Sequence, residues 1–307
     1  MKTEIKLKIA GITIRIQSTF ALEPHTEEGQ KPSLAERFNN FFYKGNQKPH
    51  IRIKVEIVDR LPKINNATNV FITYHFQDGS ENWRLLKKGN AYIYKSPLKD
   101  KEQLMLVNKT FDTITAYLLP KARKGRVWSV EDIIYDFLQV LLINYFALHK
   151  KGIFVHSMGV KDLDGKGFLF AGKSGCGKST TAKLWHNNSK AMVLNDDRII
   201  VRNHRGKFFI YGCPWHGDFS DYLQSKIESA HLESLFFIYH DRDNTVSRIS
   251  QKEAFTLLYP ALFPTFWDKD HLENIVSFSE DLVKSVPCYS LGFKDDKRVI
   301  GFVRKIK

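Results

Sequence analysis

Eight residues, Gly172-Lys173-Ser174-Gly175-Cys176-Gly177-Lys178-Ser179, have the types and spacing of a phosphate-binding loop. The three glycines can take backbone angles closed to other residues, so successive N–H groups can turn inward on phosphate oxygens. A helix beginning at Ser179 would add its free N–H groups and its dipole. The spacing gives Lys178 the terminal phosphates of a nucleotide and the Ser179 hydroxyl a Mg²⁺ ion. Thr180, next in the chain, joins this nucleotide-binding set. Cys176 fills a permissive loop position and is not read as a nucleophile.

Two neighbouring acids, Asp196 and Asp197, close an apolar run, Met192-Val193-Leu194. One carboxylate can bind Mg²⁺ directly or through water. The other can take a proton from an attacking hydroxyl. His156 and the turn Trp215-His216-Gly217 complete the candidate set, the turn as a positioner of substrate.

These residues need elements to bring them together. Residues 167–171 read as a buried strand, and the stretch after the loop can be helical. Residues 180–190 are just long enough for the right-handed crossover that parallel strands need. That crossover delivers Asp196 and Asp197 after a second strand, at the carboxyl edge where ligands bind in such sheets. A hairpin about residues 162–165 would pair 153–160 with the loop's strand and put His156 opposite Ala171. A second hairpin, turning at 203–206, would put Gly212 opposite Asp197 and bring the Trp215 turn beside the acids.

Around this centre, residues 1–125 read as a β-rich unit and 126–307 as the loop-bearing domain. Alternating isoleucines at 5–16 and 51–57 mark strands, with more expected at 69–76, 82–88 and 91–95. Residues 21–48 read mostly as loop. Ser129 is a good N-cap for a helix that should end near Lys150-Lys151-Gly152. Farther on, a strand is expected at 235–239. Helices follow from Ser250 to about Leu262 and over about 269–284. Strands are predicted at 288–293 and 298–303. Arg242 and Arg248 read as solvated surface.

The net charge of +14 suits an anionic partner without choosing one. Three cysteines show neither metal spacing nor a disulfide framework. No signal-peptide core and no 18-residue apolar run are present, so a cytoplasmic protein without a membrane partner is expected.

The order His156, Gly172–Ser179, Asp196-Asp197 resembles the kinase domain of HPr kinase and its relatives, within the phosphoenolpyruvate-carboxykinase-like P-loop fold. Pro214-Trp215-His216-Gly217, Phe266-Trp267-Asp268 and Val286-Pro287 resemble free-standing relatives, some of them serine kinases acting on peptides such as lasso-peptide precursors. The resemblance covers about residues 128–307. It implies an α/β kinase domain after a β-rich leading domain, with ATP and Mg²⁺ as cofactors. It implies phosphate binding by Gly175, Gly177 and Lys178, and metal at Ser179. It favours Asp197 as general base, with Asp196 towards His156 and the metal. Two features depart from HPr kinase: Thr180 stands where Glu is usual, and the Glu-Ile-Arg-Gly-Leu-Gly stretch tied to phosphorolysis is absent.

The expected function is Mg²⁺-dependent transfer of a nucleotide γ-phosphate to a hydroxyl of a peptide serine or a small molecule. The alternatives are a nucleotide-binding regulator without turnover and a basic nucleic-acid-associated protein, though no nucleic-acid module is recognisable. The sequence is also compatible with a homo-oligomer.

Overall fold

Alternation of apolar and polar side chains makes strands of much of the first 120 residues. The computed structural model describes residues 3–20, 38, 40–75, 78–96, 103–120, 130–217 and 228–306. β1 (Thr3–Ile9) and β2 (Ile12–Ser18) form a hairpin, with Leu7, Ile9, Ile14 and Ile16 buried. β3 (Ile51–Ile57) runs parallel to β2, with Ile51, Ile53 and Val55 inward and Arg52 and Lys54 outward. An antiparallel meander follows: β4 (Thr68–Tyr74), β5 (Glu81–Lys88), β6 (Ala91–Ser96), β7 (Gln103–Val107) and β8 (Thr113–Leu118). β8 lies parallel to β3 and completes an eight-stranded sheet.

Helix α1 (Val130–Leu148) carries Ile133, Ile134, Phe137, Leu138, Leu141 and Leu142 into the core. Its expected cap, Ser129, lies outside the described residues, as do most of residues 21–48. The chain divides into two compact units, Met1–Tyr145 and Phe146–Lys307. The boundary expected at 125/126 falls outside the described residues.

The second unit is mixed α/β. In chain order it has β9 (Ile153–Lys161), β10 (Lys166–Ala171), α2 (Lys178–Asn188), β11 (Met192–Asn195), β12 (Arg198–His204) and β13 (Lys207–Tyr211). Then come β14 (Ser229–His240), β15 (Thr245–Arg248), α3 (Gln251–Leu258), α4 (Lys269–Ser285), β16 (Cys288–Phe293) and α5 (Arg298–Arg304). The strands are ordered β10-β9-β12-β13-β14-β16-β15, and β14 also pairs with β10. Five strands therefore close into a ring: β10, β9, β12, β13 and β14. One face of the sheet buries Val155, Leu169, Leu235 and Phe237 with residues of α3 and α4. The other buries Met158, Phe168, Phe170 and Phe236 with Ala182 and Trp185 of α2 and Val299 and Val303 of α5.

Both hairpin registers differ from expectation. Ala171 faces Ser157, and His156 pairs instead with Arg198 on the other side of β9. The cause is the turn. Asp162 N–H donates to Lys166 C=O, and Gly165 takes a left-handed φ of 82°, absorbing one more residue than a two-residue turn would. In the second hairpin His204 pairs with Lys207, so the turn is only Arg205–Gly206 and the register slips by two. Gly212 then passes Leu194, whose carbonyl oxygen lies 2.7 Å from where a Cβ would be, and not Asp197.

Residues 298–304 are a helix, not a strand. Val299, Ile300 and Val303 are buried, which is a helical stripe, and the Arg298 N–H donates to Asp296 Oδ1 at 2.7 Å in the first turn. The expected helices at 251 and 269 form, capped by Ser250 and Asp268. β14 is longer than the expected 235–239. Among the described residues no helix is long and apolar enough to cross a membrane.

Candidate functional site

The glycine-rich stretch links β10 to α2. Gly177 holds φ at 99°, and a Cβ there would sit 2.2 Å from Phe293 Cζ. Only glycine allows both the angle and the approach. Lys178 is 7 % exposed, and its Nζ donates to the carbonyls of Gly172 (3.0 Å) and Lys173 (3.1 Å). Its ammonium is thus curled over the loop. α2 begins at Lys178, one residue before the expected start. The half-buried Cys176 thiol has its pKa pushed up by burial, which outweighs the opposing pull of Lys178.

The carboxylates do not follow a strand that ends. β11 and β12 both run antiparallel to β9, so they form one strand line that breaks at Asp196-Asp197 and resumes at Arg198. A bulge at residues 193–195 starts the break, and Ser157 N–H, donating to Asp197 C=O at 3.0 Å, ties it to β9. β10 and β11 are parallel with β9 between them, joined by α2 as the crossover.

At the break the two side chains have different partners. Asp196 is 1 % exposed. Its Oδ2 accepts from Ser179 Oγ at 3.3 Å and its Oδ1 from Gly217 N–H at 2.8 Å. Asp197 lies 3.4 Å from His156 Nδ1 and 3.0 Å from Arg198 Nε. His156 therefore stands beside Asp197, not Asp196, because the break turns the successive carboxylates apart. Burial, then the charge of Lys178, lowers the His156 pKa more than Asp197 and Asp196 raise it.

In the turn expected to position substrate, Trp215 is fully buried with its ring 6.1 Å from that of Phe154. His216 Nδ1 lies 2.8 Å from Gly217 C=O. Gly217 abuts Asp196, since a Cβ there would lie 2.7 Å from Oδ2. Burial pushes the Cys213 thiol up to about 12.

Two contributors have no role in the sequence reading. Asn195 is fully buried: its amide donates to the carbonyls of Cys213 (3.0 Å) and Trp215 (2.9 Å). Its Oδ1 accepts from the N–H groups of Asp197 and Arg198, both at 2.9 Å. It therefore pins the break to the turn. Arg198 pairs with Asp197 and lies over the Phe263 ring, 5.7 Å from its centroid. An Asn before two acids is a sequence signal, but only the fold shows what its amide reaches.

Among the described residues no group of three or more His, Cys, Asp or Glu could hold a metal. Ser179 and Asp196 offer a hydroxyl and a carboxylate at one point. That donor set fits Mg²⁺, which is commonly held by one or two protein oxygens together with phosphates and water. Arg242 and Arg248 are exposed, as expected. A cleft of about 380 Å³ lies in the first unit, lined by Ile64, Arg84, Leu86, Lys95 and Leu104 among others. It gathers no comparable acid–base pair. No protein-family model matches this chain, and no curated protein matches it.

Proposed function

We propose that this chain is a Mg²⁺-dependent kinase of the HPr-kinase-like P-loop type, moving a nucleotide γ-phosphate to a hydroxyl. The observation that carries this reading is the meeting of Ser179 with Asp196 beside the loop lysine, with Asp197 turned to a different set of partners. On this reading the loop N–H groups and Lys178 hold the β- and γ-phosphates of ATP. Ser179 and Asp196 hold Mg²⁺, which when bound neutralises charge on the phosphate oxygens. The acceptor oxygen attacks the γ-phosphorus, and the bond from phosphorus to the β–γ bridging oxygen breaks. Nucleoside diphosphate leaves, and the acceptor proton passes to Asp197. Arg198 and His156 orient Asp197, and Gly217 brings the Trp215 turn against the site. Three free cysteines suit a reducing compartment, so we assign the protein to the cytoplasm. The acceptor class is a peptide serine or a small-molecule alcohol.

The test is γ-labelled ATP with Mg²⁺ and a panel of serine peptides and small alcohols. Label should move to an acceptor with wild type and not with Lys178→Ala. Unchanged nucleotide affinity in Lys178→Ala, with no label moved by either protein, would overturn the reading.

A further inference from the structure

His240 ends β14, and its ring lies on that of Phe293 at the end of β16, with centroids 5.0 Å apart and planes 33° apart. Below them on the same face Phe170, Phe236 and Tyr289 are stacked at 5.1 and 5.5 Å. Phe293 is 1 % exposed, whereas His240 is exposed. Phe293 thus backs the imidazole from the core side.

The pair adjoins the phosphate loop. A Cβ on Gly177 would meet Phe293 at 2.2 Å and His240 Cε1 at 3.1 Å. It also stands on the flank away from the carboxylates. β10 feeds the loop, and β9 pairs along one side of it while β14 pairs along the other. Asp196 and Asp197 interrupt the strand line beyond β9, and His240 ends β14. The chain after His240 is held in place. Asp241 N–H donates to Phe293 C=O at 3.0 Å, and Lys294 N–H donates to Asn244 Oδ1 at 3.1 Å.

A donor with its terminal phosphate at Asp196 and Asp197 and its phosphate chain lying across the loop would bring its other end to this flank. We propose that His240, backed by Phe293, is the stacking platform for the nucleobase of the phosphate donor. This rests on the kinase reading above. Stacking tolerates any base, because every base has a π-face. The platform therefore recognises that a base is present and does not choose which one.

The test separates the base from the phosphates. Binding of Mg-ATP and of Mg-tripolyphosphate is measured by calorimetry on wild type, His240→Ala, His240→Phe and Lys178→Ala. His240→Ala should weaken Mg-ATP by roughly 5- to 100-fold and leave tripolyphosphate unchanged. His240→Phe should restore ATP affinity, and Lys178→Ala should weaken both ligands. If His240→Ala binds ATP like wild type while Lys178→Ala loses both ligands, the platform is wrong and the loop reading stands. Equal weakening of both ligands by His240→Ala would make the ring a prop for the loop and overturn the platform. If wild type binds neither ligand, the kinase reading falls and takes the platform with it.

Discussion

Asp196 and Asp197 are neighbours in the chain with unlike surroundings, and unlike surroundings give carboxylates unlike tasks. Asp196 is enclosed by Ser179 and Gly217, and Asp197 meets His156 and Arg198. Asp197→Asn should therefore keep Mg-nucleotide binding and lose about 10²- to 10⁴-fold in transfer, the usual worth of a general base. Asp196→Asn should weaken Mg²⁺ affinity as well. Paired binding isotherms and single-turnover rates on both variants decide this, and a wild-type transfer rate in Asp197→Asn would refute the assignment. His156 gives a second, independent readout. Its pKa is lowered in the folded state, chiefly by burial. As pH falls below about 6.5 the unfolded chain takes up this proton first, so the fold loses stability on that side. His156→Gln should shrink the loss measured by urea denaturation between about pH 7 and about pH 5. An identical loss in the variant would mean that His156 titrates as an ordinary histidine. His204, also lowered, is common to both proteins and cancels.

At the scale of elements, the interrupted strand is what the site is built on. The turn at 213–217 is clasped to it through Asn195 and through Gly217. Gly217→Ala would push a methyl into the Asp196 carboxylate. We expect about tenfold weaker Mg-nucleotide binding, equivalent to about 1.4 kcal/mol, with the thermal midpoint little changed. Binding calorimetry beside a melting curve checks both, and unaltered affinity would show that the turn does not set the carboxylate. Much of this region was legible beforehand. The loop's spacing, the strand before it and the helix after it are local features, written in consecutive residues. The tertiary detail was not. The two registers depended on turn length and position, three residues closing at Gly165 and two at Gly206, and alternation of side chains reports neither. The strand-like Val-Ile-Gly-Phe-Val at 299–303 folds as a helix because Val299, Ile300 and Val303 share one buried face. β7 is a short apolar run without alternation, and β8 alternates over only six residues. The roles of Asn195 and Arg198 come from partners up to 65 residues away in the chain, as in the Arg198–Phe263 contact, and no local pattern encodes them.

For the whole molecule, charge is the broadest quantity. Residues 1–145 carry 23 basic and 15 acidic residues, and residues 146–307 carry 24 and 18. The excess is shared between the two units and not gathered in one. We expect little affinity for DNA or RNA at physiological salt, since tight non-specific binding needs several cations aligned on phosphates. A strong, salt-sensitive band in a gel-shift assay would contradict this and favour the nucleic-acid reading. The division into a β-rich first unit and an α/β second unit follows from patterning alone: strand period dominates the first 120 residues, and strands alternate with helices later.

The closed ring of the second unit has a kinetic consequence. β9 and β10 can pair as soon as both exist, because a single turn joins them. The ring closes only when β14 lies along β10, matching Lys166 with His231 across about 65 intervening residues. Such a pairing must overcome a large loop-closure entropy before any contact rewards it, and distant pairings of this kind fold slowly. Until that moment the inner edge of β10 has no neighbour, and an open strand edge is a template for another chain. The step that gives the glycine-rich loop its second flank is thus also the step during which the nascent protein is most exposed to aggregation.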